Sequence, residues 1–377
     1  MEEPGLTPFA VDVPAEAVEE LRRRLRNTRW PDDPTVPGWT QGVPPAYLRE
    51  LCRYWSEEYD WAARQARLND VSQLLVEVDG LPIHVLYARS PHPGALPLVL
   101  THGWPGSVAE FLDVVGPLTD PEDPADAFTV VVPSLPGYGW SGKPTGPGWG
   151  PARTADAWAT VMRRLGHERF GAHGGDIGSF VSANLGARHP ARVAGVHLTM
   201  VVARPPEGRT AFSEREQRAL ERARVFTDDG SAYNQQQRTR PQTLGYGLTD
   251  SPAGQCAWIL EKFAAWTDSD GDPVAALGAD RLLDHISIYW FTASATSAAR
   301  MYWEMAHAPA DRAPRVDVPT GVSLFPQEIF QPPREWAEEQ FGDIRFWREH
   351  DRGGHFAAME RPDALVNDLR EFFRPLR

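Results

Sequence analysis

The feature that most constrains the fold of this chain is the turn Gly174-Gly175-Asp176-Ile177-Gly178, which lies between a predicted strand and a predicted helix. Glycines two positions before and two positions after the Asp suit a sharp, strained turn, because such a turn leaves no room for side chains at the flanking positions. The spacing alone also fits an ordinary turn. Its strand–turn–helix setting favours an Asp that projects from the end of a sheet, so Asp176 is the first candidate for a reactive residue.

Short apolar segments alternate with helical stretches around this turn. The first two segments flank Asp79-Gly80, which is a hairpin signal. Strands that alternate with helices predict an α/β fold whose mostly parallel central sheet has helices on both faces. The predicted strands of this part are Leu74–Val78, Ile83–Tyr87, Leu96–Leu100, Phe128–Pro133, Phe170–His173 and Val193–Leu198.

Changes in this pattern divide the chain into four predicted parts. Residues 1–70 form a helical extension that packs on the core, since amphipathic stripes run between residues 14 and 67. Residues 71–202 form the first part of the α/β core. Residues 203–305 lose the alternation and predict a helical lid. Residues 306–377 complete the core, with strands near residues 320–325 and 344–347 and a terminal helix over residues 364–373.

Composition excludes some classes of function. The net charge of −13 argues against a nucleic-acid partner, because phosphate binding needs clustered Lys and Arg. The first residues show neither a basic nor an apolar leader segment, and no run of about 18 apolar residues occurs. These observations predict a cytoplasmic protein with no membrane partner. Cys52 and Cys256 have no metal-site spacing and are interpreted as ordinary thiols.

A second motif, His102-Gly103-Trp104-Pro105-Gly106, directly follows a predicted strand. A loop at this place can present the backbone N–H of Trp104 towards the turn at Asp176. The N–H of Ile177 is the expected second donor, and the two together would form an oxyanion hole. His102 is interpreted as a structural residue of the loop.

The third cluster lies near the C-terminus. Glu328 ends the segment Phe325-Pro326-Gln327-Glu328 after one strand, and His355 lies in the Gly-rich loop after the next. The chain order is then nucleophile, acid, base, which is the order of the catalytic triads of α/β hydrolases. Asp351 is the competing acid, but it is only four residues from His355, so its carboxylate would be difficult to orient toward the imidazole.

On these residues the chain resembles the microsomal-type epoxide hydrolases over nearly its whole length. The resemblance rests on Thr28-Arg29-Trp30-Pro31-Asp32 in the extension and on the HGWP, GGD, FPQE and GGHFAA motifs that end at or contain the residues above. It implies the α/β-hydrolase fold and the conversion of epoxides to vicinal diols through a covalent Asp ester, without a cofactor or metal. Two departures are a missing N-terminal transmembrane helix and Ile177, where the family usually has Trp.

The resemblance also implies two lid tyrosines that protonate the departing oxygen. Tyr233 and Tyr302 match these positions, and Tyr246 and Tyr289 rank below them. Four aromatic residues are predicted to line a roomy substrate pocket, which favours an aryl or other bulky epoxide: Trp104, Trp140, Phe180 and Trp303.

The sequence leaves two alternative functions open. A haloalkane or haloacetate dehalogenase shares the Asp–His–acid chemistry, although Ile177 offers no side-chain halide donor. A non-catalytic binding protein of the same fold is the alternative from another class. The expected partner is a small-molecule epoxide, and a homodimer is left open. Related bacterial enzymes serve detoxification and antibiotic biosynthesis, including enediyne biosynthesis, and the sequence does not separate these roles.

Overall fold

The structure is a computed structural model that describes residues 5–308 and 315–377. The first four residues of the predicted extension and residues 309–314 of the predicted second core part lie outside the described residues. The nine strands that the structure describes are β1 (Leu6–Phe9), β2 (Gln73–Val78), β3 (Leu81–Ala88), β4 (Leu96–Thr101), β5 (Phe128–Pro133), β6 (Phe170–Gly174), β7 (Val193–Leu198), β8 (Thr320–Leu324) and β9 (Ile344–Glu349).

These strands form a single sheet in the order β1-β2-β3-β5-β4-β6-β7-β8-β9. Along this order every pair from β5 to β9 is parallel, whereas the pairs β1–β2, β2–β3 and β3–β5 are antiparallel. The central strands β5, β6, β7 and β8 are buried along their whole length, as expected of strands covered by helices on both faces. The predicted α/β fold with a mostly parallel sheet is confirmed.

The predicted hairpin is also confirmed, since β2 and β3 pair directly across Asp79 and Gly80. Both turn residues have positive φ, 52° at Asp79 and 77° at Gly80. Two consecutive positive values match the tight turns that suit the twist of paired strands, and Asp-Gly is a favoured sequence for them. Strand β1, whose four residues pair with β2 at the edge of the sheet, was not predicted from the sequence.

The predicted helices of the extension and core lie where the pattern places them, apart from small shifts of their ends. Three further helices, over residues 112–119, 334–337 and 357–360, were not predicted. Several begin with Pro in the first turn, where a missing N–H costs nothing. They are α1 (Ala15–Arg26), α2 (Pro45–Glu57), α3 (Trp61–Asn69), α4 (Leu112–Thr119), α5 (Pro151–Arg164) and α6 (Asp176–Arg188) before the lid, and α14 (Arg334–Ala337), α15 (Ala357–Glu360) and α16 (Pro362–Phe373) after it.

Between β7 and β8 the described chain is helical, as predicted for the lid. A capping box of Ser213 and Glu216 starts the first of these helices. The lid contains α7 (Glu214–Val225), α8 (Ala232–Thr239), α9 (Pro241–Asp250), α10 (Pro252–Trp266), α11 (Pro273–Leu277), α12 (Ala279–Phe291) and α13 (Ala295–His307). The domain boundaries themselves stay a prediction.

The N-terminal extension packs on the lid as well as on the sheet. Trp55 of α2 donates from Nε1 to Ser287 Oγ of α12 at 2.9 Å. Asp284 of α12 is buried and accepts hydrogen bonds from Tyr59 at 2.8 Å and from Arg64 Nε at 2.8 Å. Because a buried carboxylate is costly unless it is paired, this cluster specifies how extension and lid fit together.

Both cysteines are free and buried on the same interface, Cys52 on α2 and Cys256 on α10. A hydrogen bond with Cys52, together with burial, raises the pKa of the Cys256 thiol. Among residues 5–308 and 315–377, no helix has both the length and the apolar character needed to cross a membrane.

Candidate active site

The turn at Asp176 has the strained geometry that its glycines predict. Asp176 has a φ of 47°, in the left-handed region that side chains other than Gly rarely adopt. A Cβ on Gly174 would lie 2.1 Å from Gly178 O, and a Cβ on Gly178 would lie 1.9 Å from Thr101 O. The turn therefore fits against the end of β4 only with glycine at both positions, and it carries Asp176 on the end of β6 at the start of α6.

The loop after β4 contacts the Asp176 carboxylate directly. The backbone N–H of Trp104 donates to Asp176 Oδ1 at 2.8 Å. Gly103 permits this approach, because a Cβ there would lie 2.2 Å from the same oxygen. Ile177 is buried in the first turn of α6, where backbone N–H groups have no partner within the helix. This placement suits the donor role predicted for Ile177, and that role stays a prediction.

His102 holds the loop in place. Its Nε2 accepts a hydrogen bond from Leu135 N at 3.2 Å, and its Nδ1 lies 3.0 Å from Gly103 O. Burial lowers the pKa of His102 to about 4, so the ring is neutral at physiological pH and can accept from Leu135. These contacts agree with the structural role predicted for it.

Glu328 and His355 meet beside Asp176, as the strand order predicts. His355 Nδ1 lies 2.9 Å from Glu328 Oε1, and His355 Nε2 lies 3.4 Å from Asp176 Oδ2. Glu328 also accepts from Ile329 N at 2.6 Å, which fixes its carboxylate. Asp351, the competing acid, is exposed and makes no such contact among the described residues.

Charge sets the protonation of His355. Burial by itself would lower the pKa of His355, but the carboxylates of Glu328 and Asp176 outweigh burial and raise that pKa well above its usual value. His355 is thus held as a cation while both neighbours are ionised. Removing the charge of Asp176 takes away one of the two causes, so the basicity of His355 depends on the state of Asp176.

Both predicted lid tyrosines lie over this group. The Tyr233 ring stacks on the Trp104 ring with centroids 4.9 Å apart, and the Tyr302 ring meets the Tyr233 ring edge-on at 5.8 Å. Burial and the charge of Asp176 raise the pKa values of both hydroxyls, so both stay protonated at neutral pH. The buried Tyr302 Oη has no hydrogen-bond partner among the described residues. An unpaired buried hydroxyl is costly, and an incoming acceptor would satisfy it.

The two rival tyrosines are placed differently. Tyr289 is buried and donates to Gly106 O at 3.0 Å, so its hydroxyl is already used. Tyr246 is 73% exposed on α9. Neither arrangement suits a proton donor to a bound substrate.

The structure does not gather the four predicted pocket residues. Trp104 lines a cavity beside Asp176, whereas Trp140 packs on Phe9 and His84. Trp303 stacks on His307 and lines a surface groove instead. Phe180 is half-buried on α6. The pocket roles of these residues stay a prediction, and the cavity at Asp176 is small rather than roomy.

This cavity has a volume of about 10 Å³, which is close to the space of one water molecule. Asp176, His355 and Glu110 line it together. Burial raises the pKa of Glu110 to about 8, so its carboxyl is mostly protonated at neutral pH. Sequence analysis missed Glu110. The available signal was a lone acidic residue among apolar neighbours in Ser107-Val108-Ala109-Glu110-Phe111, eight residues after His102.

Trp266 was also missed. Its carbonyl accepts a hydrogen bond from His355 N at 2.9 Å, and its ring lies 5.0 Å from the His355 ring. The last residue of α10 thereby ties the lid to the His355 loop. Within the described ranges, no group of three or more His, Cys, Asp or Glu is placed to hold a metal ion.

Comparison with known proteins places this site in a family. Residues 6–111 match the family described as the epoxide hydrolase N terminus, and residues 97–310 match the alpha/beta hydrolase fold. A Stigmatella aurantiaca protein named as an epoxide hydrolase is 50% identical over 99% of this chain and 86% of its own length. Epoxide hydrolase 1 of Oryctolagus cuniculus is 33% identical over 99% of this chain and 89% of its own. The structure of Aspergillus niger epoxide hydrolase matches with a TM-score of 0.91 at 34% identity, over 100% of this chain and 97% of that one.

Sheet order and the strained turn at Asp176 define an α/β hydrolase in which Asp occupies the turn between β6 and α6. The relatives that match over nearly the full length identify the family within this class. The chain belongs to the microsomal-type epoxide hydrolase family, and it is an epoxide hydrolase. The dehalogenase and the non-catalytic binding protein are therefore not supported.

Proposed function

We propose that this enzyme opens its epoxide with the carboxylate of Asp176 and forms a covalent ester. The observation that carries the proposal is that Trp104 contacts two unlike groups. Its backbone N–H donates to the Asp176 carboxylate, and its ring lies 6.0 Å from the ring of Tyr302, whose buried hydroxyl has no partner among the described residues. An epoxide needs both groups at once, a nucleophile at carbon and a proton donor at oxygen.

Ring opening uses the lid. One oxygen of Asp176 bonds to an epoxide carbon as the carbon–oxygen bond breaks, and the resulting alkoxide takes a proton from Tyr233 or Tyr302. The charge of Asp176 raises the pKa values of both tyrosines in the resting enzyme. As the carboxylate becomes an ester that charge disappears, so the tyrosines become stronger acids at the moment when a proton is needed.

Ester hydrolysis uses the core. Loss of the Asp176 charge also lowers the proton affinity of His355, which Glu328 continues to orient. The proton that His355 gives up returns the tyrosinate to tyrosine. Neutral His355 then removes a proton from a water molecule, whose oxygen attacks the carbonyl carbon of the ester. The ester carbon–oxygen bond breaks as the tetrahedral intermediate collapses, the released diol oxygen takes the proton from His355, and the carboxyl group of Asp176 returns its own proton to His355. The small cavity between Glu110, Asp176 and His355 is the expected place for this water. The N–H groups of Trp104 and Ile177 would stabilise the oxyanion, by about 3 kcal/mol each.

The substrate we propose is an aryl or other bulky epoxide, because aromatic rings form the walls of the site. The rings of Trp266 and Tyr302 each pack against those of Trp104 and Tyr233, which stack on each other, with centroid distances of 4.9–6.4 Å. Flat apolar walls of this kind favour a flat apolar substituent. Detoxification and antibiotic biosynthesis are the two proposed roles for an enzyme with such a substrate.

A single turnover in ¹⁸O-labelled water tests the covalent step. With enzyme in excess over styrene oxide, the diol should carry no label, and the peptide that contains Asp176 should gain ¹⁸O. Later turnovers should release labelled diol. Label in the diol of the first turnover, with none in that peptide, would mean that water attacks the epoxide directly and that Asp176 is not the nucleophile.

A further inference from the structure

The aromatic cluster of the lid contains a buried cation. Lys262 of α10 is one of two lysines in the chain, and its side chain is 5% exposed. Its ammonium lies 4.8 Å from the centroid of the Tyr233 ring and 5.9 Å from that of Trp266. Lysine is rarely buried to this extent, because its charge loses hydration, so its position among these rings needs a reason.

Trp104 and Lys262 both lie over the Tyr233 ring. Trp104 stacks on the ring at 4.9 Å with an angle of 10° between the planes, and this covers one face. The ammonium of Lys262 lies over the ring, 4.8 Å from its centroid, and because Trp104 already covers one face the other face is the expected place for it. A cation over an aromatic face is attracted to the ring, which fixes the direction of the Tyr233 hydroxyl.

The partner of Lys262 lies on the outer side. Glu261 Oε2 is 2.7 Å from Lys262 Nζ, and the Glu261 side chain is 36% exposed. The pair thus has its positive end among the buried rings and its negative end near water. Solvent screens the outer carboxylate more than the inner ammonium, so Lys262 acts on Tyr233 as a partly uncompensated charge.

We infer that Lys262 is a positioning residue that holds the Tyr233 ring against Trp104 and stabilises the tyrosinate formed when the epoxide opens. The inference rests on the proposed role of Tyr233 as proton donor. Asp176, Tyr302 and Glu328 are among the groups that change the pKa of Tyr233. Glu328 is acidic and opposes a negative charge on Tyr233, as Asp176 does until its carboxylate becomes an ester, and the ammonium of Lys262 offsets this effect. A unit charge about 5 Å away changes proton affinity by about one pKa unit when its partner offsets part of the effect.

The experiment separates the two chemical steps in single turnovers with styrene oxide. Lys262→Met keeps the length and removes the charge, so ring opening should slow about tenfold while hydrolysis of the ester and substrate affinity stay near wild type. Lys262→Arg keeps the charge and should remain within about threefold of wild type. Lys143→Met is the matched control, since the ammonium of Lys143 donates to Ala293 O outside the aromatic cluster. It should leave both steps unchanged.

Glu261→Gln makes the test independent of the folding of the Lys262 variants, because Glu261 is partly exposed. Removing its charge leaves Lys262 uncompensated, so ring opening should become about two- to threefold faster. If Lys262 acted only by packing, Lys262→Met and Glu261→Gln would not change the rate of ring opening in opposite directions. If Tyr233→Phe slows ring opening while Lys262→Met and Glu261→Gln both leave it unchanged, the inference about Lys262 is wrong and the proposed function stands. If Tyr233→Phe has no effect, the proposed role of Tyr233 is wrong.

Discussion

The core and the lid place their functional side chains by different physical means. In the core, Asp176, Glu328 and His355 follow the ends of the parallel strands β6, β8 and β9, and the backbone positions of these strand ends bring the side chains together. In the lid, Tyr233 and Tyr302 are held by ring packing against Trp104 and each other, with distances between ring centroids near 5–6 Å. We therefore expect the core to tolerate changes in its surroundings better than changes in its backbone, and the lid to show the opposite behaviour. The following predictions test that contrast.

The largest effect should come from the base of the core. His355→Gln removes the group that activates water, and we expect steady turnover to fall about 10⁴-fold. Attack by Asp176 survives, so the peptide that contains Asp176 should gain the mass of the substrate, as measured by mass spectrometry. An equally inactive variant with no added mass would show that His355 serves ring opening instead.

Removal of both lid donors should stop the other half of the reaction. Tyr233→Phe together with Tyr302→Phe leaves no proton donor, so we expect ring opening to slow about 10³-fold, with each single change costing about 10- to 100-fold. No ester should accumulate, in contrast to His355→Gln. Quenched single turnovers measure this. Tyr246→Phe on the exposed face of α9 is the control. A wild-type rate of ester formation in the double variant would contradict the assignment.

Substitution of one helical glycine in the core and one in the lid compares how well the two backbones tolerate an added side chain. A Cβ on Gly178 of α6 would lie 1.9 Å from Thr101 O, whereas a Cβ on Gly247 of α9 meets no atom within 4 Å. Gly178→Ala should lower the free energy of unfolding by about 2–3 kcal/mol, because the crowded contact is backbone and cannot move easily. Gly247→Ala should raise it by about 0.5–1 kcal/mol through helix propensity. Urea denaturation measures both, and equal effects at the two sites would remove the distinction.

The smallest effect concerns pH. Glu328 raises the pKa of His355, so Glu328→Gln should move the acidic limb of ester hydrolysis to lower pH by about one unit. More acid is then needed to protonate His355, because its pKa falls once the anion is gone. The pH dependence of ring opening should not change, because that step uses the lid. The rate of ester decay, measured after a rapid change to each pH, defines this acidic limb. A shift of the limb to higher pH would contradict the predicted effect of Glu328 on the pKa of His355.

The same contrast explains what the sequence could and could not predict. Asp176, Glu328 and His355 were located from strand order and spacing, because the ends of parallel strands converge whatever the intervening loops do. Tyr233 and Tyr302 came only from the family resemblance, since helical periodicity does not say which face of a lid helix meets the core.

Residues whose function depends on a three-dimensional neighbour were missed. Glu110 and Lys262 look like ordinary charged residues in the sequence, and only their burial beside Asp176 and Tyr233 distinguishes them. Trp140 and Trp303 were placed in the pocket by residue type alone, and the structure puts them against Phe9 and His307. Strand β1 is four residues long, too short for its alternation to be recognised.

The contacts between the N-terminal extension and the lid also limit when each part of the chain can fold during synthesis on the ribosome. Trp55, Tyr59 and Arg64 are made early, but their partners Ser287 and Asp284 follow 220–232 residues later. At about 5–20 residues per second, the aromatic face of the extension waits roughly 10–45 seconds before its partners emerge. The first segment to be synthesised is therefore among the last to be buried, and a nascent chain that stalls before residue 284 leaves that face available to chaperones.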